Sequence, residues 1–290
     1  MPPFRAAFLL ATGGAAIVTV DACLRGPPSL PVALALFTAY GALITSGVLF
    51  LRLRVFVDAL LRGPKGEPHV ALTFDDGPDP ESTRRILAVL AERSAKATFF
   101  LIAKKAEKHP ELVRELLAQG HEVGLHSYGH DRLFSLRGER AVREDLTRGV
   151  EALERLTGER PVWFRPPIGH TNPIIARVSE DLDLAVIGWS ASARDGTRGA
   201  KLEACLGRIK RGLAPGAVLL LHDASERGDY EPLGAELVRA VLDEIERRKL
   251  TVVPLSRFVS LGGPRRHGLD GHTLPCGSAG SSTTKRAPSR

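Results

Sequence analysis

From residue 69 onward the chain alternates short apolar runs with longer stretches whose apolar residues recur every three or four positions. This is the rhythm of strand and helix units feeding a parallel sheet. The runs 70–74, 97–102, 122–126, 163–165, 185–189, 218–222 and 251–254 are the expected strands. Helical spacing falls on 81–93, 110–119, 139–156, 173–181, 202–213 and 231–249, and Gly120, Gly158 and Gly212 stand at the ends of three of these as C-terminal stops. Seven strands alternating with helices predict an α/β fold, a distorted (β/α)7-type barrel rather than an open sheet.

Ahead of residue 63 the pattern changes. Residues 30–51 form a run of 22 without a charge, which as a helix rising about 1.5 Å per residue would cross a hydrocarbon core roughly 30 Å thick. This run is read as a transmembrane helix. Residues 6–20 are also uncharged, but they include Gly13 and Gly14 and are stopped by Asp21, so they form a weaker span, whether a tilted partner or an interfacial segment. A cleaved signal peptide is the plainer reading of that first run, although the Asp in Val20-Asp21-Ala22-Cys23 makes a poor cleavage site. The expected organisation is one or two N-terminal transmembrane helices forming an anchor over 1–62, a folded unit over 63–261, and a disordered tail over 262–290, rich in Gly, Ser, Thr, Pro and basic residues.

Composition changes this picture little. The 290 residues are 43% hydrophobic, enough for one sizeable core plus appendages. The formal charge of +7 comes mostly from arginines scattered along helices that also carry acids, so a nucleic-acid partner is not indicated. Basic residues do crowd the two ends, with Arg52, Arg54, Arg62 and Lys65 after the apolar segment and Arg265, Arg266, Lys285 and Arg290 in the tail. Anionic lipid headgroups suit them better, and the cell membrane is the expected location. By the positive-inside rule the first cluster would place the folded unit on the cytoplasmic side. Cys23, Cys205 and Cys276 form neither a disulfide framework nor a CxxC site.

In a parallel barrel the chemistry lies at the C-terminal ends of the strands. Asp75 and Asp76 end the first strand, and adjacent carboxylates repel unless a cation or a proton intervenes. His126 and His130 follow the third strand as HSYGH, and two imidazoles four apart can meet one metal from either a helical turn or a tight loop. With nine histidines in the chain such a spacing is expected by chance about 0.3 times, so alone the pair is a modest signal, and its place after a strand strengthens it. With an Asp it forms a three-ligand set that leaves a position for water. His222 closes the sixth strand as a candidate general acid. Arg165 ends the fourth, before the paired prolines of Arg165-Pro166-Pro167-Ile168-Gly169, and its guanidinium can grip a carboxylate bidentately. Asp79 and Ser82 read as turn and helix-start residues, His121 as the beginning of a strand, and Trp163 as core.

Thr73 to Gly77, His126 to His130, Arg165 to Gly169, Trp189 to Asp195 and Leu220 to Asp223, in this order, resemble the motifs of the polysaccharide deacetylase family, carbohydrate esterase family 4 or NodB homology domain. The resemblance covers about residues 70–258. It implies that Asp75 is the general base, that Asp76, His126 and His130 bind a divalent metal, and that His222 is the general acid. It further implies that Arg165 holds the base, Asp195 tunes the catalytic histidine, Leu220 lines the acyl-methyl pocket, and the backbone N–H of Ile168 assists the oxyanion. Trp189 is counted with Ile168 and Leu220 as substrate-binding. Zinc is the usual metal of the family, and the ligand set also admits cobalt, nickel or manganese.

Two departures stand out. Ile168 replaces the aromatic residue common in the third motif, and Gly196 replaces the tryptophan that commonly follows the fourth-motif aspartate. The expected activity is hydrolytic removal of N-acetyl groups from N-acetylglucosamine-type residues of a polysaccharide or peptidoglycan. Deacylation or deformylation of a lipid-linked amino sugar is the second reading, and non-catalytic, membrane-bound carbohydrate binding is the third. An apolar ramp leading from the anchor helix to the pocket would favour the second.

Overall fold

The computed structural model describes residues 1–64, 66–227, 230 and 232–260, the last two without their side chains. The expected tail at 262–290 lies outside the described residues. Two helices open the chain, α1 (Pro3–Arg25) and α2 (Leu30–Leu49), and both are long and apolar enough to cross a membrane by length and composition. The first does not stop at Asp21 as expected. Asp21 lies one turn from Arg25, at 3.3 Å, so its charge is answered within the helix, and each internal Gly costs only about 1 kcal/mol. The helices touch through Phe8 stacked on Tyr40 and through Thr12 Oγ1, 2.9 Å from Tyr40 Oη.

The segment after α2 does not behave as a linker. Leu51, Val57 and Ala59 are buried in the main core, and Leu60 joins a second cluster with Phe100 and Ile187. Thr171 N donates to Val48 O at 3.0 Å, so the end of α2 is tied directly to the folded unit.

The body follows the expected alternation: β1 (His69–Asp75), α3 (Ser82–Glu92), β2 (Thr98–Leu101), α4 (Ala103–Ala106), α5 (Pro110–Ala118), β3 (Glu122–Leu125), α6 (Glu139–Thr157), β4 (Trp163–Phe164), α7 (Pro173–Asp181), β5 (Ala185–Val186), β6 (Ala191–Ser192), α8 (Leu202–Gly212), β7 (Val218–His222), α9 (Gly234–Arg247), β8 (Thr251–Val252) and α10 (Leu255–Ser260). The residues 185–189, expected as one strand, end early at Val186, and Ala191–Ser192 forms an eighth strand too short to show a period. The helices lay their apolar faces on the sheet. In α9 the inward positions are Leu237, Val238, Val241, Leu242 and Ile245, the spacing of a single helical stripe.

All pairings are parallel, in the order β5-β4-β3-β2-β1-β7-β6, with β8 beside β1. Laid flat, the six spacings of that path would separate β5 from β6 by about 29 Å at ~4.8 Å each. Yet the two are joined by residues 187–190 alone, a link that reaches only about 17 Å when fully extended. The sheet must therefore curl, and the distorted barrel expected from the sequence is what forms. Leu60 bridges to Ile187 and Arg62 to Ala217 across the open side.

Gly158, at φ 79°, ends α6 as a left-handed stop, as expected. Gly212 has a different role: it is the last residue of α8, and a Cβ there would lie 2.4 Å from Ala191 Cβ, so it permits close approach of the helix to β6.

Candidate active site and metal centre

Parallel pairing sends the C-terminal ends of the strands to one mouth, and register decides which side chains meet there. Asp75 pairs with His222 across β1 and β7, and Thr73 pairs with Leu220. Because alternate strand residues share a face, Thr73 and Asp75 point the same way, as do Leu220 and His222. Leu220 is 5% exposed.

Asp76 sits just beyond β1 with φ 74°, and His130 has φ 54°. The HSYGH segment is a tight loop, not a helical turn. Ser127 Oγ accepts from His130 N at 2.8 Å, and Asp145 on α6 accepts from Tyr128 N and Gly129 N at 2.9 and 3.1 Å. Its imidazoles are thereby brought together, with ring centroids 4.7 Å apart. Left-handed backbone at non-glycine residues is sparsely populated and collects where a site over-determines it.

The three side chains converge on one atom. His126 Nε2 is 3.5 Å and His130 Nε2 is 3.3 Å from Asp76 Oδ1, and that oxygen is buried without a hydrogen-bond partner. The other ring nitrogens face outward to oxygen: His126 Nδ1 is 2.7 Å from Arg165 O, and His130 Nδ1 is 3.3 Å from Glu226 Oε1. The carbonyl on His126 Nδ1 leaves its Nε2 free as a ligand, while the Glu226 carboxylate stands beside a His130 Nδ1 that makes no hydrogen bond. Asp76, His126 and His130 thus fit a divalent cation, their ligand atoms all lying within 4.8 Å of one another. Burial opposes ionisation of Asp76, but the two imidazoles and His222 outweigh it and hold the carboxyl well below the usual range.

Arg165 is fully buried. Its Nη1 donates to Asp75 Oδ1 at 2.6 Å and to Thr73 Oγ1 at 3.0 Å, while Nε and Nη2 donate to the carbonyls of Ile187 and Gly188 at 3.2 and 3.1 Å. The guanidinium also lies 4.1 Å from the Phe100 ring centroid. The bidentate grip expected of it does not form: one nitrogen reaches Asp75, and the rest of the fork is spent on backbone that carries the chain from β5 toward β6. Burial pulls the guanidinium pKa down and the Asp75 charge opposes that.

Asp195 holds His222 at two points, with Oδ1 2.9 Å from Nδ1 and Oδ2 accepting from the backbone N at 3.0 Å. Burial lowers the imidazole pKa, but the Asp195 charge prevails and raises it to about 9. Ile168 lies at the rim, 45% exposed, and holds φ 50°, a strained conformation for a β-branched residue. Trp189 closes against Gly169, where a Cβ would meet the indole at 2.5 Å.

Several further residues take part, and of these only Asp223 belongs to a motif singled out in the sequence, as the end of Leu220 to Asp223. Glu226 stands beside His130 and accepts from Arg132 Nε at 2.6 Å. Asp145 shapes the histidine loop. Asp223 is buried and accepts from Gly77 N at 3.1 Å and Thr83 Oγ1 at 2.6 Å, and burial pushes its carboxyl up to about 7. Lys105 Nζ donates to Asp76 O and Ser225 O at 2.8 and 2.7 Å, joining two of the site's turns. The residues set aside in the sequence fall elsewhere. Asp79 Oδ1 accepts from Glu81 N and Ser82 N at a helix start, and His121 Nδ1 accepts from Ala97 N at 3.2 Å at the far end of β3. Trp163 is 7% exposed in the core.

A family model described as polysaccharide deacetylase matches residues 62–187. A chitooligosaccharide deacetylase of Sinorhizobium fredii is 37% identical over 199 residues, 68% of this chain and 87% of that relative. A peptidoglycan-N-acetylglucosamine deacetylase of Bacillus cereus is 35% identical over 160 residues, 55% of this chain and 58% of that protein. Among solved structures, a family 4 acetyl xylan esterase from Clostridium thermocellum in complex with cobalt matches with a TM-score of 0.60 at 27% identity, covering 67% of this chain and 91% of that one. The chain belongs to the polysaccharide deacetylase family, whose characterised relatives here are carbohydrate-processing hydrolases.

Proposed function

We propose that the chain is a metal-dependent deacetylase that cleaves the N-acetyl amide of an N-acetylglucosamine-type residue, with Asp76, His126 and His130 as ligands of a divalent ion, zinc or a similar cation. The observation that carries this reading is the convergence of both Nε2 atoms on the unpartnered Asp76 Oδ1, beside the paired Asp75 and His222. Such an ion, when bound, supplies Lewis acidity and makes water a nucleophile near neutral pH.

The other steps belong to the chain's own groups. Asp75, held by Arg165, accepts the proton of the attacking water. The N–H of Ile168 donates to the oxyanion that develops on the acetyl oxygen. As the C–N bond breaks, His222, kept protonated by Asp195, gives its proton to the leaving amine. Leu220 packs against the acetyl methyl, and Trp189 and Ile168 border the sugar. A carbohydrate-binding protein would need neither a base nor an acid beside a cation site.

The two apolar N-terminal helices are read as a membrane anchor continuous with the catalytic unit. The test is acetate release from N-acetylglucosamine oligomers by the full chain in detergent, after chelation and after add-back of zinc or cobalt. The reading predicts loss on chelation and recovery on add-back; equal release in both states would contradict it.

A further inference from the structure

A cleft of about 580 Å³ opens between the end of α2 and the rim of the site. On one side stand Leu49 and Phe50, where α2 ends, 42% and 48% exposed; on the other are the Ile168-Gly169 turn and Trp189. The Ile168 turn, whose N–H is assigned to the oxyanion in the proposed mechanism, is part of this lining, so the cleft borders the site. Its charge is one-sided. Arg52, Arg194, Arg208 and Arg211 line it and no carboxylate does.

Among the described residues none of these guanidiniums pairs with a carboxylate: Arg52 lies 5.7 Å from the Phe50 ring centroid, and Arg208 donates to Ala193 O at 3.2 Å. Many other surface arginines are answered, as in Arg84 with Glu115 and Arg239 with Glu92, whereas here four stand together without a carboxylate. Like charges gathered without acids repel one another and favour an anion that lies between them.

Resting on the deacetylase reading, we propose that this cleft receives an amino sugar joined through phosphate or diphosphate to a long apolar tail. The tail would run along Leu49, Phe50 and the exposed face of α2, where Leu34 and Phe37 are 56% and 79% exposed. The arginines take the phosphate, and the sugar passes Trp189 to the Ile168 turn. A neutral polymer would use none of these charges. A nucleotide sugar would use the charges and leave the apolar side bare.

The test compares four probes on the full chain in detergent micelles: N-acetylglucosamine on farnesyl diphosphate, on a neutral dodecyl chain, on uridine diphosphate, and as free chitotetraose. Both kcat/KM for acetate release and Kd, read from tryptophan fluorescence in a Trp163→Phe background that leaves Trp189 as the one indole, are measured. The farnesyl diphosphate probe is expected to exceed each of the others about tenfold in both quantities. In the double variant Arg52→Gln/Arg211→Gln, both surface residues, its advantage over the neutral chain should fall about tenfold while the rate on chitotetraose holds.

Equal performance of the neutral chain would overturn the anion site, and equal performance of uridine diphosphate would overturn the tail. Hydrolysis of chitotetraose without any preference would overturn this inference alone. If no probe is hydrolysed but the Kd order and its arginine dependence persist, the cleft assignment stands and the deacetylase reading falls.

Discussion

Arg165 Nη1 and Asp75 Oδ1 are 2.6 Å apart in a place where the guanidinium has no exposure to solvent. Each charge is tolerable because of the other, and losing either leaves its partner buried and uncompensated.

Arg165→Met is therefore expected to destabilise the fold by about 3–5 kcal/mol as well as abolish activity. Arg165→Lys keeps the charge but cannot serve Asp75, Thr73 and two carbonyls at once, so it should lose activity too. Denaturant unfolding followed beside acetate release checks both; a methionine variant of unchanged stability would contradict the pairing.

In the proposed mechanism the Asp195 contact sets the basic limb of the pH–rate profile. As an acid, His222 must carry its proton, and a pKa raised to about 9 keeps that proton through neutral pH. Asp195→Asn removes the charge that raises it, so the limb should move to lower pH. A fall in kcat with the limb unmoved would make Asp195 a purely structural support.

Gly196 lies against the same ring. A Cβ there would stand 2.6 Å from His222 Nε2, and the imidazole cannot swing away while Asp195 holds Nδ1 at 2.9 Å. Gly196→Ala should lower kcat by about 10²-fold with metal content intact. An alanine variant with wild-type kcat would show that the ring relaxes freely.

Glu226 faces His130 Nδ1 at 3.3 Å. Glu226→Gln is expected to weaken zinc affinity by roughly 10–100-fold, as for other groups that orient a ligating imidazole. Competition with a fluorescent chelator measures this, and unchanged affinity would remove Glu226 from the site.

Leu51, Val57 and Ala59 are buried with the barrel, so the boundary expected at residue 63 falls inside the packing. A truncation starting at Lys65 should melt well below one starting at Leu51, since emptying the place of one buried Leu side chain in a core costs about 2–5 kcal/mol. Equal melting temperatures would show that this segment contributes little.

Much of this was legible because β1 and β7 are apolar runs that end in chemistry, so Asp75, Asp76 and His222 announce themselves at the strand ends. The short elements were not. Ala191–Ser192 is too brief to show a period, and α1 passes Asp21 because Arg25, one turn away, answers its charge. The partners of Arg165 were hidden for a different reason: Ile187 and Gly188 contribute carbonyls, which any residue would supply. Glu226 and Asp145 act from a loop and a helix face, where an acid normally reads as solvated surface.

The most direct single measurement is acetate release by zinc-loaded Asp75→Asn beside wild type, with bound metal counted in the same samples. The account predicts equal metal content and a rate reduced by about 10²-fold or more. A variant that holds zinc and releases acetate at the wild-type rate would contradict it.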